Sequence, residues 1–249
     1  MKLISALLLV FVLAWQEGRT PELRPLANIL GSVSQNVKKG HDSLPDFLCN
    51  EKVTSTTIRS GKVHDQKTVE SIYSIQQSRE NREVLTIDGK SAKRNAKMPG
   101  LPVNINGSFN FAVFVTLSPE WLQRHDFAQT PEETGLIVLE YETKKAQKDL
   151  MWDINGTRKV AHDTGKAWID SKAMQVARIE RNLLNIGDFT AWKITIEQAP
   201  FVIGDSEFWL PKSFLTEITE KDPRKTGTFL AEYSNCKKFT AEITIRTQD

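Results

Sequence analysis

The stretch AWKITIEQ, residues 191–198, alternates apolar and polar side chains along most of its length. Trp192, Ile194 and Ile196 are apolar, whereas the three residues that follow them are polar. Successive side chains of a β-strand point to opposite faces, so this pattern predicts a strand with one buried face and one wet face. The same alternation recurs near the end of the chain, where Phe239, Ile243 and Ile245 stand opposite charged residues.

Short segments of this kind follow one another from residue 47 onward, separated by turn pairs such as Asp88-Gly89. The connections are too short for parallel crossovers, so the sheet is predicted to be antiparallel. The predicted strands are 47–59, 66–79, 83–87, 136–143, 148–153, 157–162, 166–170, 175–184, 191–198, 207–220, 227–234 and 238–246.

Two segments break the alternation and predict helices. Residues 21–39 carry apolar side chains at helical spacing, with Pro21 at the first position and Gly40 as the predicted end. The Phe-rich residues 108–115 predict a short buried helix, with a strand as the alternative, and residues 119–124 begin another helix. A sheet with one wet face needs a cover for the other. We therefore predict a mainly β protein: a curled antiparallel sheet, an incomplete barrel, with N-terminal and mid-chain helices covering its concave face.

The first fourteen residues resemble a signal peptide. Lys2 precedes an apolar run from Leu3 to Trp15, and Val12-Leu13-Ala14 offers small residues for cleavage. The run is short for a membrane span, although an uncleaved anchor or a buried first helix are alternatives. The expectation is that residues 1–14 are removed, that residues 15–249 form one domain, and that the protein is periplasmic or otherwise exported.

The charge balance argues against a nucleic-acid binder. The chain has 33 Lys and Arg against 31 Asp and Glu, a formal charge of +2, whereas such binders carry a clustered basic face. The basic runs at residues 90–97, 144–148 and 221–225 have no interleaved aromatic residues. They are interpreted as solvated loops.

The two cysteines, Cys49 and Cys236, are predicted to form a disulfide. In an exported protein an isolated pair is more often oxidised than free. Two cysteines without matching histidines also make a poor metal site.

No catalytic motif is present: there is no phosphate-binding glycine loop, no metalloprotease motif and no nucleophile elbow. All four histidines precede an aspartate, at His41, His64, His125 and His162. Adjacent strand residues point to opposite faces, so one such pair cannot act together, and turns explain the aspartates. No catalytic residue, metal ligand or cofactor is predicted.

A family resemblance emerges from the second half of the chain. Lys166-Ala167-Trp168-Ile169-Asp170 with Val176-Ala177-Arg178-Ile179-Glu180 resembles a hairpin of the periplasmic lipoprotein-carrier (LolA/LolB-like) superfamily. Trp209-Leu210-Pro211 and the segment from Tyr233 to Phe239 extend the match, and uncharacterised exported acidobacterial proteins share this order. The resemblance implies an incomplete antiparallel barrel plugged by helices, and acyl chains or other lipids held between sheet and helices.

The leading functional hypothesis is therefore a binding or carrier module for a lipid or another long apolar ligand. The alternative is a structural or interaction protein of the cell envelope whose half-barrel is filled by its own side chains; an enzyme without a recognisable motif is a third option. No protein partner is predicted. The candidate pocket residues are Phe109, Phe114, Trp121, Ile179, Trp192, Ile194 and Ile196.

Overall fold

A computed structural model describes residues 25–77, 79–105, 111–133, 135–145, 151–154, 157–160 and 162–240. Within these residues the helices are α1 (Leu26–Ser43), α2 (Phe111–Leu117) and α3 (Pro119–Leu122). The strands are β1 (Phe47–Arg59), β2 (Lys62–Gln76), β3 (Arg79–Ile87), β4 (Lys90–Ser91), β5 (His125–Glu133), β6 (Leu136–Thr143), β7 (Met151–Ile154), β8 (Thr157–Val160), β9 (Asp163–Asp170), β10 (Val176–Ile186), β11 (Phe189–Ile203), β12 (Ser206–Glu220) and β13 (Lys225–Lys238).

Eleven of these strands form one sheet in the order β4-β3-β2-β1-β13-β12-β11-β10-β9-β6-β5. Every paired neighbour runs antiparallel. The sheet is not closed into a barrel, which confirms the predicted mainly β, open antiparallel fold. Strands β4 and β5 are its two edges. Strands β7 and β8 pair separately on either side of residues 155 and 156, which lie outside the described residues.

The predicted turn at Asp88-Gly89 is confirmed by its backbone. Asp88 has φ 51° and Gly89 has φ 74°, the left-handed values that a tight hairpin requires at both central positions. The turn joins β3 to β4, so the chain reverses at the edge of the sheet.

Helix α1 differs from its prediction at both ends. It begins after Pro25 rather than at residue 21, and residues 21–24 lie outside the described residues. It also continues through Gly40 to Ser43, so the predicted end at Gly40 is wrong. Two contacts span the glycine: Lys38 Nζ lies 2.8 Å from Asp42 Oδ2, and the Ser43 hydroxyl donates to the Lys39 carbonyl at 2.6 Å. A helical glycine costs only about 1 kcal/mol relative to alanine, which such contacts offset.

The helices cover one half of the sheet, and the face they cover is called the inner face below. Ile29, Val33 and Val37 of α1 share one buried cluster with α2 and with the inner sides of β6, β9, β10 and β11. The other half, formed by β1, β2, β12 and β13, is covered by Met98, Leu101 and Val103 of the segment that precedes α2. The prediction that N-terminal and mid-chain helices cover the sheet is therefore confirmed for the half formed by β6, β9, β10 and β11.

Strand β5 is an edge strand that the sequence analysis did not predict. Its sequence, HDFAQTPEE, contains Pro131 and lacks regular apolar alternation. Proline donates no ladder hydrogen bond and is tolerated on edge strands. Among the described residues, no helix is both long and apolar enough to cross a membrane.

Candidate binding site

The predicted pocket residues on the strands lie in the core. Ile179, Trp192, Ile194 and Ile196 are at most 7% exposed and share a buried cluster with Val113 of α2. Their side chains follow the inner-face alternation that the sequence predicted, and Ile179 is the cross-strand partner of Ile196.

The predicted residues of the helical segment are placed less deeply. Phe114 of α2 is half-buried, packs against the same cluster and has its ring centroid 4.4 Å from that of His41. Trp121 of α3 is half-buried beneath the Arg124 guanidinium, which lies 4.0 Å from its ring centroid. Phe109 lies outside the described residues. The six predicted pocket residues that the structure describes line neither of the two surface pockets described below.

The first pocket, called the mouth pocket here, opens where α1 and α3 begin and where edge strand β5 starts. Its volume is about 330 Å³, at the lower end of the range for small-molecule sites. Its lining residues are Leu26, Leu30, Pro119, Leu122, Gln123, His125, Asp126, Phe127 and Lys144.

The mouth pocket has an apolar floor and a polar rim. Leu30, Leu122 and Phe127 line it and also pack against the buried core cluster, so the floor is continuous with the protein interior. On the rim, Lys144 Nζ donates to the Gln123 carbonyl at 2.8 Å and lies 3.8 Å from Asp126 Oδ1. This arrangement suits a ligand with an apolar body and a polar end.

The second pocket is a groove of about 450 Å³ on the outer side of β5, β6, β9 and β10. Its charged lining includes Glu142 and the ion pair between Lys166 Nζ and Glu140 Oε1, which are 2.8 Å apart. Among the described residues, no group of His, Cys, Asp and Glu side chains could hold a metal ion.

A buried polar cluster lies directly behind the mouth pocket on the inner face. It is called the ion cluster here and consists of His125 (β5), Thr143 (β6), Asp163 (β9) and Arg181 (β10). Arg181 Nε donates to Asp163 Oδ2 at 2.6 Å, and the Thr143 hydroxyl donates to Asp163 Oδ1. The side chains of Asp163, Arg181 and His125 are 0% exposed.

The ion cluster does not form a catalytic relay. His125 Nε2 lies 3.9 Å from Asp163 Oδ1, beyond hydrogen-bond distance, and neither ring nitrogen makes a hydrogen bond of good geometry among the described residues. Burial alone would raise the pKa of Asp163, but Arg181 and Thr143 hold it below its usual range. Asp163 is therefore a buried carboxylate whose charge is compensated by Arg181.

Two of the four His-Asp pairs in the sequence meet in this cluster. His125 is buried and its neighbour Asp126 is exposed, as expected for adjacent strand residues. The carboxylate nearest to His125 on the inner face comes from the other pair, in which His162 is exposed and Asp163 is buried. The pairing across strands, rather than along the chain, is what the sequence analysis missed.

Next to the ion cluster, Gly165 permits a close approach of Tyr141. The Tyr141 hydroxyl donates to the Glu180 carbonyl at 2.8 Å. A Cβ atom on Gly165 would lie 2.0 Å from that carbonyl oxygen and 2.5 Å from the Tyr141 hydroxyl. Only glycine lets the tyrosine ring lie across β9, and this ring is edge-on to His125 with centroids 5.5 Å apart.

A second buried acid lies in the other half of the sheet. Glu51 of β1 accepts from Arg82 Nε at 2.8 Å and from the Ser71 hydroxyl at 2.7 Å. The Arg82 guanidinium lies 4.8 Å from the ring centroid of Tyr73. The charge of Arg82 is compensated by Glu51, as that of Arg181 is by Asp163. Arg82 lines neither pocket.

We expect the stability of the protein to fall in mild acid because of His125. Burial lowers the pKa of His125 below its usual value, and Arg181 and Arg124 act in the same direction, while Asp163 opposes them. The folded state therefore binds this proton less readily than the unfolded state. The free energy of unfolding should fall as the pH drops below about 6.5 and stop falling below the folded pKa. Urea unfolding at about pH 7.5 and about pH 5.5 measures this change.

A histidine variant isolates the effect. His125→Phe should flatten the acid dependence in this window, whereas His64→Phe, on an exposed histidine of β2, should retain it. Equal slopes for the wild type and His125→Phe would contradict the assignment.

No protein-family model matches this sequence, and no curated protein matches it at a significant level. The fold is similar to those of several solved structures. A DUF1329 family protein from Desulfovibrio piger is 15% identical, with a TM-score of 0.41 over 87% of this chain and 94% of that chain.

Two further solved structures match this chain at similar TM-scores. A domain described as outer membrane lipoprotein-sorting, from Vibrio parahaemolyticus, is 11% identical with a TM-score of 0.40, over 83% of this chain and 90% of that chain. A LolA superfamily protein from Nitrosomonas europaea is 9% identical with a TM-score of 0.41, over 84% and 95% of the two chains.

Proposed function

We propose that the protein is a non-enzymatic, periplasmic binding module for a lipid or another long apolar ligand, and that the ligand enters at the mouth pocket. The single observation that carries this proposal is the lining of that pocket, which combines apolar and polar residues. Its floor of Leu30, Leu122 and Phe127 is apolar and continuous with the core, and its rim is polar. Each buried CH₂ group of a ligand contributes about 0.8 kcal/mol without needing a polar partner.

A longer chain would have to pass the short helix α3. This helix has only four residues and no buried side chain, so it is the least anchored of the elements around the pocket. Beyond it lies the interior that α2 shares with Ile179, Trp192 and Ile194. In this proposal these residues, together with Ile196, Phe114 and Trp121, line the deeper path when α3 is displaced.

A second candidate function is a structural or interaction protein of the cell envelope. The observation that favours it is the packing of the inner face: Ile179, Ile194 and Ile196 are at most 2% exposed and already contact helical side chains. The two functions differ in whether the mouth pocket takes up an apolar ligand.

Filling the mouth pocket should weaken ligand binding. Leu122→Trp places a large ring over the pocket floor, so a fluorescent fatty acid should bind at least about tenfold more weakly, which corresponds to 1.4 kcal/mol. Val202→Trp is the matched control, because Val202 of β11 is 68% exposed and does not line the pocket. Fluorescence titration measures both affinities.

The structural alternative makes the opposite prediction. If the wild type binds no fatty-acid probe, and protein purified from its own envelope carries no lipid in a native mass spectrum, the binding function is wrong. Equal affinities for the wild type and Leu122→Trp would instead place the ligand elsewhere.

A further inference from the structure

Residues 90–97 form an exposed basic segment without acidic partners. Its four cations are Lys90, Lys93, Arg94 and Lys97, and all four side chains are exposed. Among the residues that the structure describes, none of them makes an ion pair. The segment from residue 89 to residue 105 contains no Asp or Glu.

The other described basic run behaves differently. Lys221 lies 3.6 Å from Asp188, Arg224 lies 3.0 Å from Asp222, and Lys225 lies 3.7 Å from Glu220. Those charges are compensated within a few ångströms, and an exposed pair of this kind projects little field into solvent. The basic segment is therefore distinguished from an ordinary solvated loop by its uncompensated charge.

The fold places the basic segment at one edge of the sheet. It starts with edge strand β4 and remains beside β3, since the Ala92 amide donates to the Leu85 carbonyl at 2.8 Å. Leu85 is 43% exposed, so an apolar side chain lies next to the cations. Strand β5 is the other edge in the strand order. Its carboxylate Asp126 has Lys144 as a partner, and Glu140 of the neighbouring β6 has Lys166.

We propose that the basic segment is a docking surface for an anionic lipid bilayer. Four uncompensated cations beside an exposed leucine match a surface that is negatively charged and apolar beneath its headgroups. The basic segment orients the molecule with β4 toward the membrane.

A nucleic acid fits the segment less well. Binding of single strands uses aromatic side chains on which bases stack, and residues 90–97 contain none. The cations are also mostly lysines, which act as hydrated point charges rather than as bidentate phosphate ligands.

Vesicle binding tests the proposal. The full chain is mixed with phosphatidylcholine vesicles that contain about 30 mol% phosphatidylglycerol, or none, and sedimented; only the anionic vesicles should retain it. Raising the NaCl concentration to about 0.5 M should release it, because screening shortens the range of these charges. Each basic residue contributes about fivefold to the partition coefficient, so Lys90→Gln, Lys93→Gln, Arg94→Gln and Lys97→Gln together should lower it at least a hundredfold.

A matched control removes the same charge elsewhere. Lys166→Gln, Lys221→Gln, Arg224→Gln and Lys225→Gln also replace three lysines and one arginine, each of which has a carboxylate partner. This control should bind anionic vesicles like the wild type. The proposal is overturned if the wild type does not bind them, if both quadruple variants lose binding equally, or if double-stranded DNA at equal salt binds the wild type as tightly as the vesicles do.

Discussion

Replacing Arg181 by methionine should lower the free energy of unfolding by about 3–5 kcal/mol, because the substitution leaves Asp163 as an uncompensated charge in the interior. Both side chains are 0% exposed, and Arg181 Nε lies 2.6 Å from Asp163 Oδ2. The Thr143 hydroxyl remains as a donor to the carboxylate, but it carries no charge. Urea unfolding at neutral pH measures the loss.

Two further variants separate the charge effect from lost packing. Arg181→Met combined with Asp163→Leu removes both charges and should recover most of the stability, since apolar pairs often replace buried ion pairs without loss. Lys166→Met breaks an exposed pair of similar length, 2.8 Å to Glu140, and should cost less than about 1 kcal/mol. If the double variant is as unstable as Arg181→Met alone, the loss comes from packing and the argument from the buried charge is wrong.

The regular strands could be predicted because alternation is a local property. The predicted limits of β1 and β6 agree with the structure at both ends, Phe47–Arg59 and Leu136–Thr143. Strand β5 escaped prediction because its own sequence lacks apolar alternation, although its partner β6 begins only three residues after β5 ends. An edge strand with Pro131 needs no apolar alternation of its own when its neighbour supplies the register.

The ion cluster could be predicted only in part. Arg181 lies between Ile179 and Leu183 on the apolar face of β10, and Thr143 continues the buried alternation of β6. At both positions the alternation predicts a polar side chain on the inner face. Their common partner, Asp163, follows from the register of β6, β9 and β10. Register depends on pairing across long stretches of chain, and the sequence of any one strand does not contain it.

The mouth pocket could not be predicted from the sequence for a related reason. Its lining combines the starts of α1, α3 and β5. The predicted start of α3 agrees with the structure, but α1 begins after Pro25 rather than at residue 21, and β5 was not predicted. The strand residues predicted to line a pocket share a buried cluster with Ala112, Val113 and Leu117 of α2. Alternation identifies which face of a strand is buried, but it does not distinguish a filled interior from an open one.

The predicted disulfide is confirmed. It joins β1 to β13, which are neighbours in the sheet although they lie far apart in the sequence. Cys49 and Cys236 are bonded, with their Cα atoms 4.1 Å apart and a sequence separation of 187 residues. The bond lies where the pairing of β1 with β13 shifts register, beside Asn235, whose φ is 51°. It therefore crosslinks the sheet where the ladder is irregular, and it closes a loop with a sequence separation of 187 residues.

Reducing this disulfide should lower the free energy of unfolding by about 4–5 kcal/mol, because a long loop loses much conformational entropy in the unfolded state when it is crosslinked. Urea unfolding with and without dithiothreitol measures the loss while keeping both sulfur atoms in the core. The dependence of the free energy on urea concentration should also become steeper, because an uncrosslinked chain exposes more surface on unfolding. The variant that combines Cys49→Ala and Cys236→Ala should be insensitive to the reductant. A loss below about 1 kcal/mol with an unchanged slope would show that the bond does not restrict the unfolded chain, contrary to the loop-entropy argument.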